Sequence, residues 1–121
     1  MLNRKEKGKL SEDLAVEFLK QRGFQVVTQN FRCPLGEIDL VARDGRTLVF
    51  VEVKSRFAMG YGAPEELVSR AKQKRLTRLA RWYLKQQRLE NQPARFDVVA
   101  ISWQDARPEI KWIANAFEAC D

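Results

Sequence analysis

Apolar positions follow helical spacing early in the chain: Leu10, Ala15, Val16 and Leu19 fall on one side, and Gly23 stands just beyond. This pattern predicts a helix over 10–22 that ends on a left-handed glycine. Residues 24–30 are β-prone and predict a strand, and Cys33-Pro34-Leu35-Gly36 reads as a loop. Runs over 37–43 and 46–54 flank Asp44-Gly45, the strongest short-range hairpin signal, and predict two paired strands. A connection with two glycines follows over 55–63, and Pro64-Glu65-Glu66 then opens a long helix to about residue 90, with a break near Ser69. Asp44 and Glu65 are read as a turn residue and a helix-start residue. Two further strands are predicted over 95–103 and 109–113, with a short helical tail over 114–121. Helix, three strands, long helix, two strands and short helix resolve most economically as an α/β fold. We expect one domain over 1–121, with a mixed sheet of about five strands flanked by helices and the long helix as a right-handed crossover.

The hairpin fixes which side chains meet. A two-residue loop at Asp44-Gly45 sets Arg43 opposite Arg46 and, by counting back, Glu37 opposite Glu52 and Asp39 opposite Phe50. Alternation then puts Glu37, Asp39, Glu52 and Lys54 on one face, with Asp39 diagonal to Glu52 and their Cβ atoms roughly 6 to 8 Å apart. Ile38, Leu40, Val49, Val51 and Val53 fill the other face, while Val41, Leu48 and Phe50 share the acids' own face, so both faces of this hairpin are covered. Carboxylates in such surroundings are costly unless paired or bound to a cation. Two readings stay open: a divalent-metal site, or an internal ion pair of Lys54 with Glu52 or Asp39.

On the first helix Glu12 shares the stripe of Ala15, Val16 and Leu19 and points inward. On the long helix Arg70, Lys74, Arg78, Arg81, Lys85 and Arg88 follow at spacings of three and four, a basic ridge suited to a phosphate backbone or simply a solvated face. Lys72 sits instead on the apolar line of Val68, Leu76, Leu79 and Tyr83, where it snorkels or reaches a buried anion.

Composition narrows the chemistry. The chain of 121 residues contains no histidine, which removes histidine bases, histidine-containing triads and histidine-ligated zinc. Carboxylates, lysine, hydroxyls or a hard metal must serve. A net charge of +6 favours a polyanionic partner. Cys33 and Cys120 show no metal or disulfide spacing, and no apolar run is long enough for a bilayer. The charged beginning has no signal-peptide character, so a cytoplasmic protein without a membrane partner is expected.

These residues resemble the PD-(D/E)XK superfamily of restriction-endonuclease-like nucleases, and more closely the YraN-like family of small uncharacterised bacterial proteins related in fold to Holliday-junction resolvases. The resemblance is carried by Gly8-Lys9-Leu10-Ser11-Glu12 with Ala15, by Asn30 before Gly36-Glu37-Ile38-Asp39-Leu40, by Phe50-Val51-Glu52-Val53-Lys54, by Lys72-Gln73 and by Arg95-Phe96-Asp97-Val98-Val99. These segments span nearly the whole chain in the family's order. Ile38 departs from the proline of the superfamily name, and Ser11 from a usual glycine. The resemblance implies a restriction-endonuclease-like α/β/α core in which Asp39, Glu52 and the carbonyl of Val53 hold Mg²⁺ or Mn²⁺. Lys54 completes that site, Glu12 assists, and Glu37, Lys72 and Gln73 stand as supporting groups or alternative ligands. The implied activity is endonucleolytic cleavage of DNA, branched or structured DNA included, with DNA favoured over RNA and a homodimer left open. A nucleic-acid-binding module without catalysis, and a purely structural or protein-interaction domain, remain the alternatives. The roles of Asp97 and of Trp82, Trp103 and Trp112 are left open.

Overall fold

The computed structural model describes residues 2–57, 68–103 and 107–120. Helix α1 spans Arg4–Gln21, beginning earlier than the apolar periodicity indicates. Its first turns are polar and owe their start to a cap: the Asn3 side chain accepts from Glu6 N at 2.8 Å, and Asn3 N donates back to Glu6 Oε1 at 3.2 Å. Gly23, at φ +87°, lies just past the helix end, as expected. Strands β1 (Gln25–Cys33), β2 (Gly36–Asp44) and β3 (Thr47–Arg56) follow. Helix α2 covers Arg70–Gln86, and β4 (Ala94–Trp103) and β5 (Pro108–Phe117) complete the chain.

The strands form one sheet in the order β1-β2-β3-β4-β5. Only β3 and β4 run parallel; the segment between them contains α2, the crossover a parallel pair requires. Helix α1 packs on one face with Leu40, Ala42, Val49, Val51, Val99 and Ile101. Helix α2 covers the other face, over Val41, Leu48, Phe50, Phe96 and Val98. The result is a five-stranded mixed sheet with a helix on each face, consistent with the expected restriction-endonuclease-like α/β architecture.

Four local expectations are corrected. The hairpin pairs Asp44 with Thr47, leaving Gly45-Arg46 as the loop, because Gly45 takes the left-handed φ of +61° at the first loop position. The loop therefore lies one residue further along and the ladder register shifts by two, with Arg43 opposite Leu48 in place of Arg46. Ile38 packs on the α2 side with Val41 and Phe50 and not with Leu40, so alternation breaks at Asp39. The long helix is capped by Ser69, whose hydroxyl accepts from Lys72 N, and stops at Gln86; Arg88, at φ 55°, lies beyond it. The expected helix start at Pro64-Glu65-Glu66 falls outside the described residues.

The fourth correction concerns the tail, where residues through Phe117 continue β5 and form no helix. Asp97 explains this. Wholly buried on β4, it accepts from Arg95 Nε at 3.0 Å, Trp112 Nε1 at 3.0 Å and Asn115 N at 2.9 Å. It thereby holds Asn115 in its left-handed turn (φ 52°) across a register shift, and Phe117 stacks on Phe96 with ring centroids 4.7 Å apart. Asp97 is thus an internal anchor of β5. Trp112 packs edge-on against Phe18 and Phe24, Trp103 is buried, and Trp82 lies against Phe31.

Candidate functional site

The site arises where the sheet forks. The β2–β3 ladder runs from Asp44/Thr47 to Leu40/Val51 and ends there. Before Leu40, β2 stays with β1 down to Gly36 opposite Cys33, while past Val51, β3 stays with β4 up to Arg56 opposite Ser102. The gap exposes polar backbone on the inner edge of β3, and such groups need partners. Asp39 supplies one: its Oδ2 accepts from Val53 N at 2.8 Å. The carboxylate lies along the sheet, in the place of a ladder carbonyl, which is why Asp39 does not follow the hairpin's face alternation. Because N–H and C=O of one strand residue face the same edge, the Val53 carbonyl opens on the same gap.

Glu52, adjacent on β3, is buried at 6% exposure, and its Oε2 meets Lys72 Nζ of α2 at 3.0 Å. The Asp39 and Glu52 carboxyl groups lie within hydrogen-bonding reach of each other. Burial first, then the charge of Glu52 and the hydrogen bond shared with it, push the Asp39 carboxyl up from 3.8 to about 7, against the opposing pull of the Val53 N–H. Glu12 adds a smaller push to Asp39 from α1. Its own carboxyl is raised by burial, while a hydrogen bond from Asn30 works against that rise.

Asn30, in left-handed conformation at φ 52°, links the outer acids: with its amide nitrogen turned toward them it donates to Glu12 Oε1 at 3.2 Å and Glu37 Oε1 at 2.9 Å. Glu37 also pairs with Arg32 at 3.4 Å, on the exposed rim. Lys54 follows Glu52 by two residues on β3 and forms no ion pair among the described residues. The internal ion pair considered for Lys54 is instead made by Lys72. Gln73 does not join the group, since its amide donates to Val68 O at 3.1 Å. Asp39, Glu52, Val53, Glu12, Glu37 and Lys72 are thus brought together around one fork. Asn30 stood among the residues carrying the resemblance without a role, and only its backbone twist and two acid partners reveal one.

The donor set suits a hard divalent cation within limits. Among the described residues no three Asp, Glu or Cys side chains converge tightly enough to hold an ion by themselves. Two abutting carboxylates with a neighbouring backbone carbonyl form the partial shell that Mg²⁺ accepts, since that ion keeps several waters and usually takes one or two carboxylates. Asp39 is raised by burial first and by the neighbouring Glu52 charge second, and a cation between the two acids would offset both.

The expected basic ridge lies mostly on α2: Arg70, Arg78, Arg81 and Lys85 are exposed and Lys74 is half-buried, while Arg88 is beyond the helix end.

A mixed sheet sandwiched by helices, with a half-buried and a buried acid paired at a fork between two strands, defines the chain as a small α/β protein with an internal carboxylate pair. Residues 11–101 match the family described as "Uncharacterised protein family UPF0102", and the chain belongs to that family. The protein is 47% identical over 111 residues to a UPF0102 protein of Syntrophus aciditrophicus, covering 92% of this chain and 87% of that one. It is 42% identical over 119 residues to a UPF0102 protein of Caldicellulosiruptor saccharolyticus, covering 96% of this chain and all of that one. A UPF0102 protein of Geobacter metallireducens is 44% identical over 117 residues, 97% of this chain and 96% of its own. The YraN-like resemblance therefore holds at the level of the family. No helix among the described residues is long and apolar enough to cross a membrane.

Proposed function

We propose that this protein is a Mg²⁺- or Mn²⁺-dependent endonuclease of the PD-(D/E)XK type, cleaving phosphodiester bonds in DNA, including branched or structured DNA. The observation that carries the reading is the placement of Asp39 beside Glu52 at the fork, where burial first and then the charge of Glu52 raise the Asp39 carboxyl to about 7. A fold seeking stability alone gains nothing from placing these acids together. Asp39, Glu52 and the Val53 carbonyl would hold the ion. When bound, such an ion polarises a phosphodiester and lowers the pKa of an attached water.

The remaining roles belong to the chain's own groups. Lys54, on the face of Glu52 and without an ion pair among the described residues, orients the attacking water and offsets charge gathering on phosphorus. Asp39 is held in place by the Val53 N–H, which donates to its Oδ2. Lys72 neutralises Glu52 in the metal-free chain. Glu12, steadied by Asn30, adds a third acid at the rim, where it can act through water.

The Lys72–Glu52 pair also favours a second reading, a nucleic-acid-binding protein of the same fold in which lysine permanently fills the cation's place. Incubating the protein with flapped, branched and single-stranded DNA in Mg²⁺ or Mn²⁺ separates the two. Cleavage that disappears in Asp39→Asn and Lys54→Met supports the nuclease, whereas binding without cleavage on every substrate supports the second reading.

A further inference from the structure

Helix α2 carries seven lysines and arginines over Arg70–Gln86 and not one acidic residue. Arg70, Lys72 and Lys74 crowd the positive end of its dipole, and Lys74 with Arg78 and Arg75 with Arg78 repel at spacings of four and three. None of this stabilises the helix. Lys72 spends its charge on Glu52, but Lys74, Arg75 and Arg78 form no ion pair among the described residues.

Those three side chains line a concavity of about 450 Å³ with Ala71 and Leu35. The helical members fall at spacings of three and four, a single stripe. The opposite wall is the β1–β2 turn, where Leu35 is 48% exposed and Gly36, at φ +137°, lies against α2; a Cβ there would stand 3.8 Å from Arg75 Cδ and 3.6 Å from Leu79. It is the positive φ that calls for glycine here, since a Cβ would make only ordinary van der Waals contact with the arginine stem. Arg75 lies off the ridge that sequence spacing outlines, and only the fold of the turn against the helix reveals it.

We propose that this concavity seats backbone phosphates of the nucleic-acid strand whose scissile bond lies at the Asp39–Glu52 pair, with Lys74, Arg75 and Arg78 taking phosphate oxygens and Leu35 meeting an apolar sugar or base face. The identity of the polymer rests on the nuclease reading; the affinity for phosphate does not. Ala71 is the neighbour of Lys72, so the pocket begins next to the residue that touches Glu52. From Ala71 to Arg78 the helix advances about 10 Å at ~1.5 Å per residue, which matches about three nucleotides of one strand at ~3.4 Å each.

The test is fluorescence anisotropy of a short labelled single strand and its duplex, in EDTA, across a salt series. Wild type is compared with Lys74→Gln/Arg75→Gln/Arg78→Gln, with Arg75→Gln alone, and with a control, Lys20→Gln/Arg107→Gln/Lys111→Gln, that removes as much charge from exposed positions outside α2. At ~0.7 to 0.9 per phosphate contact, the pocket variant should flatten the log–log salt slope by about two to three and the single variant by about one, with the control little changed. Equal flattening in pocket variant and control, or an unchanged slope in the pocket variant, overturns the proposal. Cleavage assays on the same proteins keep the two ideas apart. A wild type that never cleaves, yet shows the predicted slopes, sinks the nuclease and leaves the pocket. A pocket variant that cleaves with wild-type KM and slope sinks the pocket and leaves the nuclease.

Discussion

Replacing Asp39 with asparagine should stabilise the metal-free protein at alkaline pH. The substitution keeps the shape: the amide oxygen can still accept from Val53 N, now at 2.8 Å from Asp39 Oδ2, and the amide nitrogen can donate to Glu52. What disappears is one of two abutting negative charges. The Asp39 carboxyl is raised from 3.8 to about 7, so the folded chain holds that proton more tightly than the unfolded chain does. Stability therefore falls as pH rises from about 4 to about 7, and the penalty is complete above that range. At ~1.4 kcal/mol per tenfold change in proton affinity the ceiling is about 4 kcal/mol; solvent reaching this half-buried group reduces it to about 1 to 2 kcal/mol. Urea unfolding in EDTA, followed by the fluorescence of buried Trp103, measures it. Asp39→Asn should exceed wild type by that amount at pH 8, and the advantage should shrink at pH 5. A variant less stable than wild type at pH 8, or a difference independent of pH, would refute the reasoning.

Other substitutions probe the supporting structure. Lys72→Met leaves the buried Glu52 without its counter-charge and should cost about 1 to 2 kcal/mol at pH 8, discounted because Lys72 is 35% exposed; denaturation with and without Mg²⁺ should show the ion restoring part of the loss. Asp97→Ala should cost about 3 to 5 kcal/mol in thermal unfolding, because Arg95, Trp112 and Asn115 N lose a buried acceptor, and a loss under 1 kcal/mol would contradict its anchoring role. Ser11 accepts from Trp103 Nε1 at 2.8 Å, so Ser11→Ala should cost about 1 to 3 kcal/mol by stranding a buried donor, read by the same unfolding assay.

Much of this was legible in the sequence. The Asp-Gly hairpin, the Gly23 stop and the inward stripe of α1 follow from local chemistry, and each led to the correct element. The loop was set one residue off, and the register therefore two, because Asp-Gly suggests glycine second in the loop, whereas Gly45 is first. That error did not flip the strand, so Asp39 and Glu52 still met. What local patterning could not convey was the fork, a consequence of β2 following β1 while β3 follows β4. The fork turns Asp39 into the plane of the sheet and admits Lys72 in place of Lys54. The tail was misread for a related reason: Asp97 holds Asn115 from another strand, a long-range contact without a trace in residues 114–121.

The central claim is that the Asp39–Glu52 pair is a cation site. Calorimetric titration of Mn²⁺ into wild type, Asp39→Asn and Glu52→Gln at pH 8 tests it most directly. The account predicts saturable binding in wild type, with protons released as the ion enters, and its loss in both variants. Absence of binding in folded wild type, or undiminished binding in both variants, would contradict it.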